Sequence, residues 1–226
     1  MQIDKIRRLA IRYWRNEIPS GIVFPVEKLF EFGTGHPRLQ SSDYLFVHVP
    51  KAAGSSISIA LYGKKIPHFK ALDIKKHYRG FDNKYKFAFV RHPVDRAVSC
   101  YNFLSTLGTS QVSIHKQHKY KSVKNLSFEE FVEKFIADES RGYKDVVLRK
   151  QSEFLTDLNG NVLVDDVYKY EKFDAEIARL SRVIGFDLNV GKSNISDRRR
   201  DITVTDNARR IIEHVYKEDF ELFDYD

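Results

Sequence analysis

The run Tyr44 to Val49 (YLFVHV), broken at Pro50, constrains the fold more than any other stretch of the chain. It is rich in aromatic and β-branched residues, which suits a buried strand. Pro50 ends it, because proline lacks the amide proton that a central ladder needs. Lys51-Ala52-Ala53-Gly54-Ser55-Ser56 follows, and then Ile57, Ala60 and Leu61 recur at spacings of three and four. That pattern predicts a helix capped by Ser55 or Ser56 and stopped by Gly63. A strand feeding a helix N-terminus through a loop of small residues makes an anion seat. Unpaired N–H groups and the positive end of the helix dipole face whatever binds there.

The alternation repeats. KFAFVR (Lys86 to Arg91) reads as a second buried strand. HPVDRAVSCYNFLSTLG reads as a helix, with Pro93 in its first turn and Gly108 at its end. Residues 109 to 125 are polar and basic and predict a surface excursion. SFEEFVEKFIAD predicts a helix opened by a Ser127–Glu130 capping box. VLVDDVYKY follows the turn DLNGN as a third strand, EKFDAEIARLSRVIG is a helix ended by Gly185, and a last helix runs from about Asp206 to Phe223. The expected fold is α/β and three-layered, with a mainly parallel central sheet flanked by helices. At 226 residues one domain suffices, with 1–43 as an N-terminal extension and 44–226 as the core.

The chain carries 38 basic and 31 acidic residues, a net charge of +7 that favours an anionic ligand. The single cysteine, Cys100, excludes an intrachain disulfide and a cysteine zinc site. With no long apolar run and no signal-peptide core, the expected location is cytoplasmic. MQIDKIRRLAIRYWRNEI reads as a short basic helix, expected to pack on the protein's own body. Peripheral contact with a membrane surface is its second reading.

The loop at Lys51 resembles a phosphate-binding loop but departs from the G-x-x-x-x-G-K-[ST] order, since its lysine precedes its glycine. A magnesium-dependent nucleotide kinase thereby loses its defining lysine–hydroxyl pair. What remains suits a phosphate held without a metal. Arg91 ends a buried strand, where an unpaired charge is costly. On the next helix Val94, Ala97, Val98, Tyr101 and Leu104 share one side, and Arg96 and Ser99 fall opposite. Arg91 and Ser99 suit a second phosphate seat. Arg96 reads as the partner of a structural carboxylate. Asp165-Asp166, within a strand, read as one exposed and one structural carboxylate, not as a metal site.

The strand–VPKAAGSS–helix and strand–RHPVDRAVSCY–helix units, in this order, resemble the carbohydrate sulfotransferase family that includes the heparan sulfate 2-O-sulfotransferases, and its bacterial relatives. QSEFLTD, VYKYEKFD and VYKEDFELFDYD extend the resemblance from Tyr44 to the C-terminus. One departure is His92, where the family usually has aspartate. The resemblance implies 3′-phosphoadenosine 5′-phosphosulfate (PAPS) as donor, used without a metal. Lys51, Ala52, Ala53, Gly54, Ser55 and Ser56 would bind its 5′-phosphosulfate, and Arg91 and Ser99 its 3′-phosphate. Sulfonate transfer also needs a base for the acceptor hydroxyl, and histidine titrates in the right range. His68 stands 23 residues before Arg91 (91 − 68), where members of the family carry a histidine, and is the expected base. His77 is the lesser candidate. The basic loop Lys192, Arg198, Arg199 and Arg200 precedes the last helix as ligand loops do in similar enzymes, and Arg199 is its expected donor contact. Gln151 and Ser152 would help place the acceptor. The expected acceptor is a hydroxyl of a glycan or glycolipid, with no nucleic-acid partner. The rival readings are a nucleotide kinase-like phosphotransferase and a non-catalytic module that binds polyanions.

Overall fold

The computed structural model describes residues 42–78, 80–106, 108–109, 112–113, 120–138, 145–191 and 202–226. The segment expected to form an N-terminal basic helix, and the expected basic loop with Lys192, Arg198, Arg199 and Arg200, lie outside these residues.

The chain runs from β1 (Tyr44–Val47) through α1 (Gly54–Tyr62) and α2 (Ala71–His77) into β2 (Tyr85–Val90). The helix α3 (Pro93–Ser105) follows, then a small antiparallel hairpin, β3 (Gly108–Thr109) and β4 (Val112–Ser113). After α4 (Phe128–Phe131) and α5 (Ser152–Leu155) come β5 (Asp166–Lys169) and α6 (Phe173–Ile184). Two helices, α7 (Asp206–Val215) and α8 (Lys217–Leu222), close the chain.

The main sheet has the order β1-β2-β5, and both pairings are parallel. Hydrophobic pattern explains the order. In β2 every residue after Tyr85 is buried, as befits a strand covered on both faces. In β5 only Tyr168 is fully buried, the pattern of an edge strand. The α/β fold with a parallel central sheet is therefore as expected. β1 stops at Val47, short of the expected Val49, because the Val49 N–H bonds back to the Val47 carbonyl at 3.1 Å and turns the chain out of the ladder.

Two apolar clusters hold these elements. One surrounds the sheet, with Phe46, Phe87, Phe89 and Tyr168 packed against Ile57 and Leu61 of α1. The other gathers Val94, Tyr101, Phe131, Ile136, Ile212 and Tyr216 around α3.

Helix ends follow local chemistry. Gly63 and Gly185 end α1 and α6 in the left-handed region, as expected of glycine. The Ser127–Glu130 capping box forms in both directions, at 3.2 and 2.7 Å, and α4 then widens into a π-helical turn, Val132–Ile136. Helix α3 ends earlier than expected. Thr106 Oγ1 donates back to the Asn102 and Phe103 carbonyls, and Gly108 opens the hairpin instead. The expected last helix is two helices, broken at Tyr216. Its buried hydroxyl donates to the Leu148 carbonyl at 2.8 Å, and its backbone leaves the helical region.

Candidate active site

Because β1 and β2 are parallel neighbours, the segments that leave them emerge at one edge of the sheet. This is where open parallel sheets bind ligands. Lys51 follows β1 there and Arg91 follows β2. The two charges are close enough that Arg91 helps burial to lower the Lys51 pKa, with Cys100 opposing. The Lys51 ammonium rests on the ring of Phe103, 4.3 Å from its centre.

The loop between them is built by the backbone. Lys51 (φ 66°) and Ala53 (φ 61°) both adopt the left-handed conformation, which is uncommon outside glycine and costs about 1–3 kcal/mol at such positions. Ala53 is the residue that caps α1, and no side-chain oxygen occupies the cap. The expected serine cap is therefore corrected: Ser55 and Ser56 lie inside the first turn, half-buried and buried, while Ala52 is fully buried. A left-handed turn starts the helix where a serine was expected to, and the Ser56 and Ile57 N–H groups donate to the Ala53 carbonyl at 3.0 and 3.3 Å.

Arg91 leaves the neighbouring strand at the same end of the sheet. Its guanidinium lies 4.6 Å over the ring of Tyr170. Its Nε is buried and, among the described residues, has no hydrogen-bond partner. Such an orphan is costly unless a ligand completes it. Ser99 is half-buried on α3, one residue from Cys100, whose thiol feels both Lys51 and Arg91.

Arg96 meets its carboxylate but in an unexpected place. It is 1% exposed, so it does not lie on a side of α3 away from the core. Its Nη2 donates to the Arg149 carbonyl at 2.8 Å, its Nη1 to Val147 at 3.3 Å, and Asp219 lies 3.9 Å away. Helix α3 is packed on more than one side, which a single apolar stripe does not reveal. His92, the departure from the family, performs a capping role: its Nδ1 accepts from Val94 N at 3.3 Å. Nε2 therefore carries the proton and donates to the backbone oxygen of Asp226 at 3.0 Å.

His68 is held beside the loop by a residue that sequence reasoning passes over as part of the strand. Its Nδ1 lies 2.9 Å from the backbone oxygen of His48. A carbonyl only accepts, so Nδ1 carries the proton, and in the neutral ring the lone pair sits on Nε2. The two rings lie 3.9 Å apart, centre to centre. His48 is buried, and its own Nδ1 donates to the Ile66 carbonyl at 2.8 Å. Burial, with His68 nearby, holds the His48 imidazole well below the usual histidine range. Its ring lies against Gly54: a Cβ there would come within 1.9 Å of His48 Cδ2. The signal is present as VHVPKAAG, a histidine six residues before a glycine, but spacing alone does not pack them. His77 ends α2, and its side chain is outside the described set.

Other expected residues lie elsewhere. Gln151 and Ser152 are buried, and both are hydrogen-bonded into the protein, so the acceptor role expected of them is not what their burial supports. Asp165 and Asp166 stand at the start of β5, the opposite edge of the sheet from Lys51. Asp165 is exposed and pairs with Lys86, while Asp166 is half-buried and binds Tyr85 and Arg179, the expected exposed and structural pair. The groove lined by Asn207, Arg210 and His214 contains none of the candidate residues.

A family model described as "Sulfotransferase family" matches residues 40–226. Nothing matched in a search of curated proteins or in one of solved structures. The match is to the family as a whole and does not single out the heparan sulfate 2-O-sulfotransferase branch. It covers Lys51, His68 and Arg91, and it makes the chain an enzyme of sulfonyl transfer. The chain belongs to the sulfotransferase family.

Proposed function

We propose that the protein transfers the sulfonate of PAPS to a hydroxyl of a glycan or glycolipid, without a metal. The observation that carries the reading is the meeting of Lys51, the uncapped N-terminus of α1 and the orphaned Nε of Arg91 at one sheet edge. A donor with a phosphosulfate at one end and a 3′-phosphate at the other would complete both seats. Lys51 and the first turn of α1 would hold the 5′-phosphosulfate, Ser55 and Ser56 supplying hydroxyls. Arg91 and Ser99 would hold the 3′-phosphate, and Arg199 is proposed as a further donor contact.

In the proposed reaction His68 Nε2 takes the acceptor proton as the hydroxyl oxygen attacks sulfur in line. The bond from sulfur to the bridging oxygen breaks, and its electron pair leaves with adenosine 3′,5′-bisphosphate. Lys51 and the helix N-terminus stabilise the charge that develops on that oxygen. Incubating the protein with PAPS and a panel of glycans and glycolipids, followed by mass spectrometry, tests the reading. Release of the bisphosphate with a sulfonate-sized gain on one acceptor is expected, with magnesium making no difference. Phosphate transfer from ATP that depends on magnesium would favour the kinase-like rival. Binding to polyanions with no turnover would favour the non-catalytic one.

A further inference from the structure

Arg91 leaves β2 at a buried strand end, where its backbone N–H and C=O lack a strand partner. Gln151 takes that place: its Oε1 accepts from Arg91 N at 2.9 Å and its Nε2 donates to Arg91 O at 2.8 Å. The amide orientation is forced, since only its oxygen can accept and only its nitrogen can donate. Gln151 is completely buried and is itself held. The backbone N–H groups of Gln151 and Ser152 donate to Oδ2 and Oδ1 of Asp219, each at 2.8 Å. Asp219, fully buried on α8, lies 3.9 Å from Arg96. On the other side of the turn, His92 N donates to Glu171 Oε1 at 2.6 Å.

We propose that Gln151, fixed by Asp219, is a positioning residue for Arg91, and through it for the 3′-phosphate end of the donor. The inference rests on the reading of Arg91 as a phosphate ligand. Fixing the Arg91 backbone from 60 residues away presents the guanidinium, already stacked on Tyr170, in one place. The ordering cost of that long side chain is then met by folding and not by binding. Neither Gln151 nor Asp219 needs to touch the donor.

Calorimetry with adenosine 3′,5′-bisphosphate, in a double-mutant cycle, tests it. Gln151→Met keeps the volume and removes both bonds to Arg91, and it should weaken binding about ten-fold. Made on top of Arg91→Ala, the same change should add less than about two-fold, because its effect passes through the missing side chain. A merely structural role would cost the same in both backgrounds. Gln151→Met binding as tightly as wild type, or losses that simply multiply, overturns the positioning role. Arg91→Ala binding as tightly as wild type overturns the phosphate-ligand reading itself, a distinct result. If Gln151→Met does not fold, Asp219→Asn, which disturbs the Gln151 anchor, takes its place in the cycle. Losses that fail to multiply with Arg91→Ala would again support positioning, and losses that multiply would overturn it.

Discussion

Arg91 and Lys51 differ in how the protein holds them, and the difference sets what each loses on mutation. Arg91 is stacked on Tyr170 with a buried, unpartnered Nε, whereas Lys51 lies on Phe103 in a strained backbone conformation. Each is expected to supply one charged hydrogen-bonding group to the donor. Lys51→Ala and Arg91→Ala should therefore each weaken adenosine 3′,5′-bisphosphate binding by ~10- to 150-fold, the equivalent of about 1.5–3 kcal/mol. Calorimetry in magnesium-free buffer measures this, and undiminished binding by both variants would count against the seat. His68 has a different part. With Nδ1 given to the His48 carbonyl, only its Nε2 is placed to accept a proton. His68→Ala should lower turnover by about 10²- to 10⁴-fold while donor affinity stays close to wild type. His77→Ala should change neither quantity much. Turnover and affinity measured on both variants decide the assignment, and a normal rate for His68→Ala would remove it as the base.

At the level of elements, the loop from β1 to α1 and the segment carrying His68 are locked together through His48. The His48 ring fills the space over Gly54, its Nδ1 holds the Ile66 carbonyl, and its own carbonyl holds His68. Gly54 is required by this close approach. Gly54→Ala places a methyl group 1.9 Å from His48 Cδ2, so the ring or the helix start must move. Forcing a group into such a packed site costs about 1–3 kcal/mol. Urea denaturation should show that loss, and turnover should fall with it because the displaced ring packs 3.9 Å from the ring of His68, centre to centre. Full stability in Gly54→Ala would mean that His48 has another place to go. The local pattern PKAAGSS made the strand–loop–helix legible, since it depends on propensities of neighbouring residues. The cap was not legible, because it is a left-handed backbone at Ala53, and no side chain advertises it.

Across the whole molecule, the buried His48 couples folding to pH. Burial, with His68 nearby, lowers its folded pKa well below the ordinary histidine value of 6.5. The unfolded chain thus binds a proton that the folded one refuses once the pH drops below 6.5. The stability contribution is fully present above that value and is lost as the pH falls towards the folded pKa. The slope approaches about 1.4 kcal/mol per pH unit in that window. His48→Phe removes this contribution, together with its electrostatic coupling to His68. Urea midpoints of both proteins between about pH 7.5 and 5 should converge, or cross, on acidification. A constant difference between them would show that His48 charges freely in the folded state.

Neighbouring residues alone settle a good part of this fold. The continuous apolar run of β2 marked it as buried, Gly63 and Gly185 marked two helix ends, and Ser127 with Glu130 marked a third. The segments bearing Lys51, His68 and Arg91 were legible too, because strand ends and helix starts have local signatures and the family resemblance supplied the rest. Tertiary structure alone decided which distant groups hold them. Arg96 is buried because α3 is covered on more than one side. Gln151 pins Arg91 across 60 residues, and Asp219 pins Gln151 across 68. His92 reaches Asp226 across 134. Such contacts depend on how packed elements meet in space, so polar residues that look like solvent-facing ligands in sequence become the buried framework of the site.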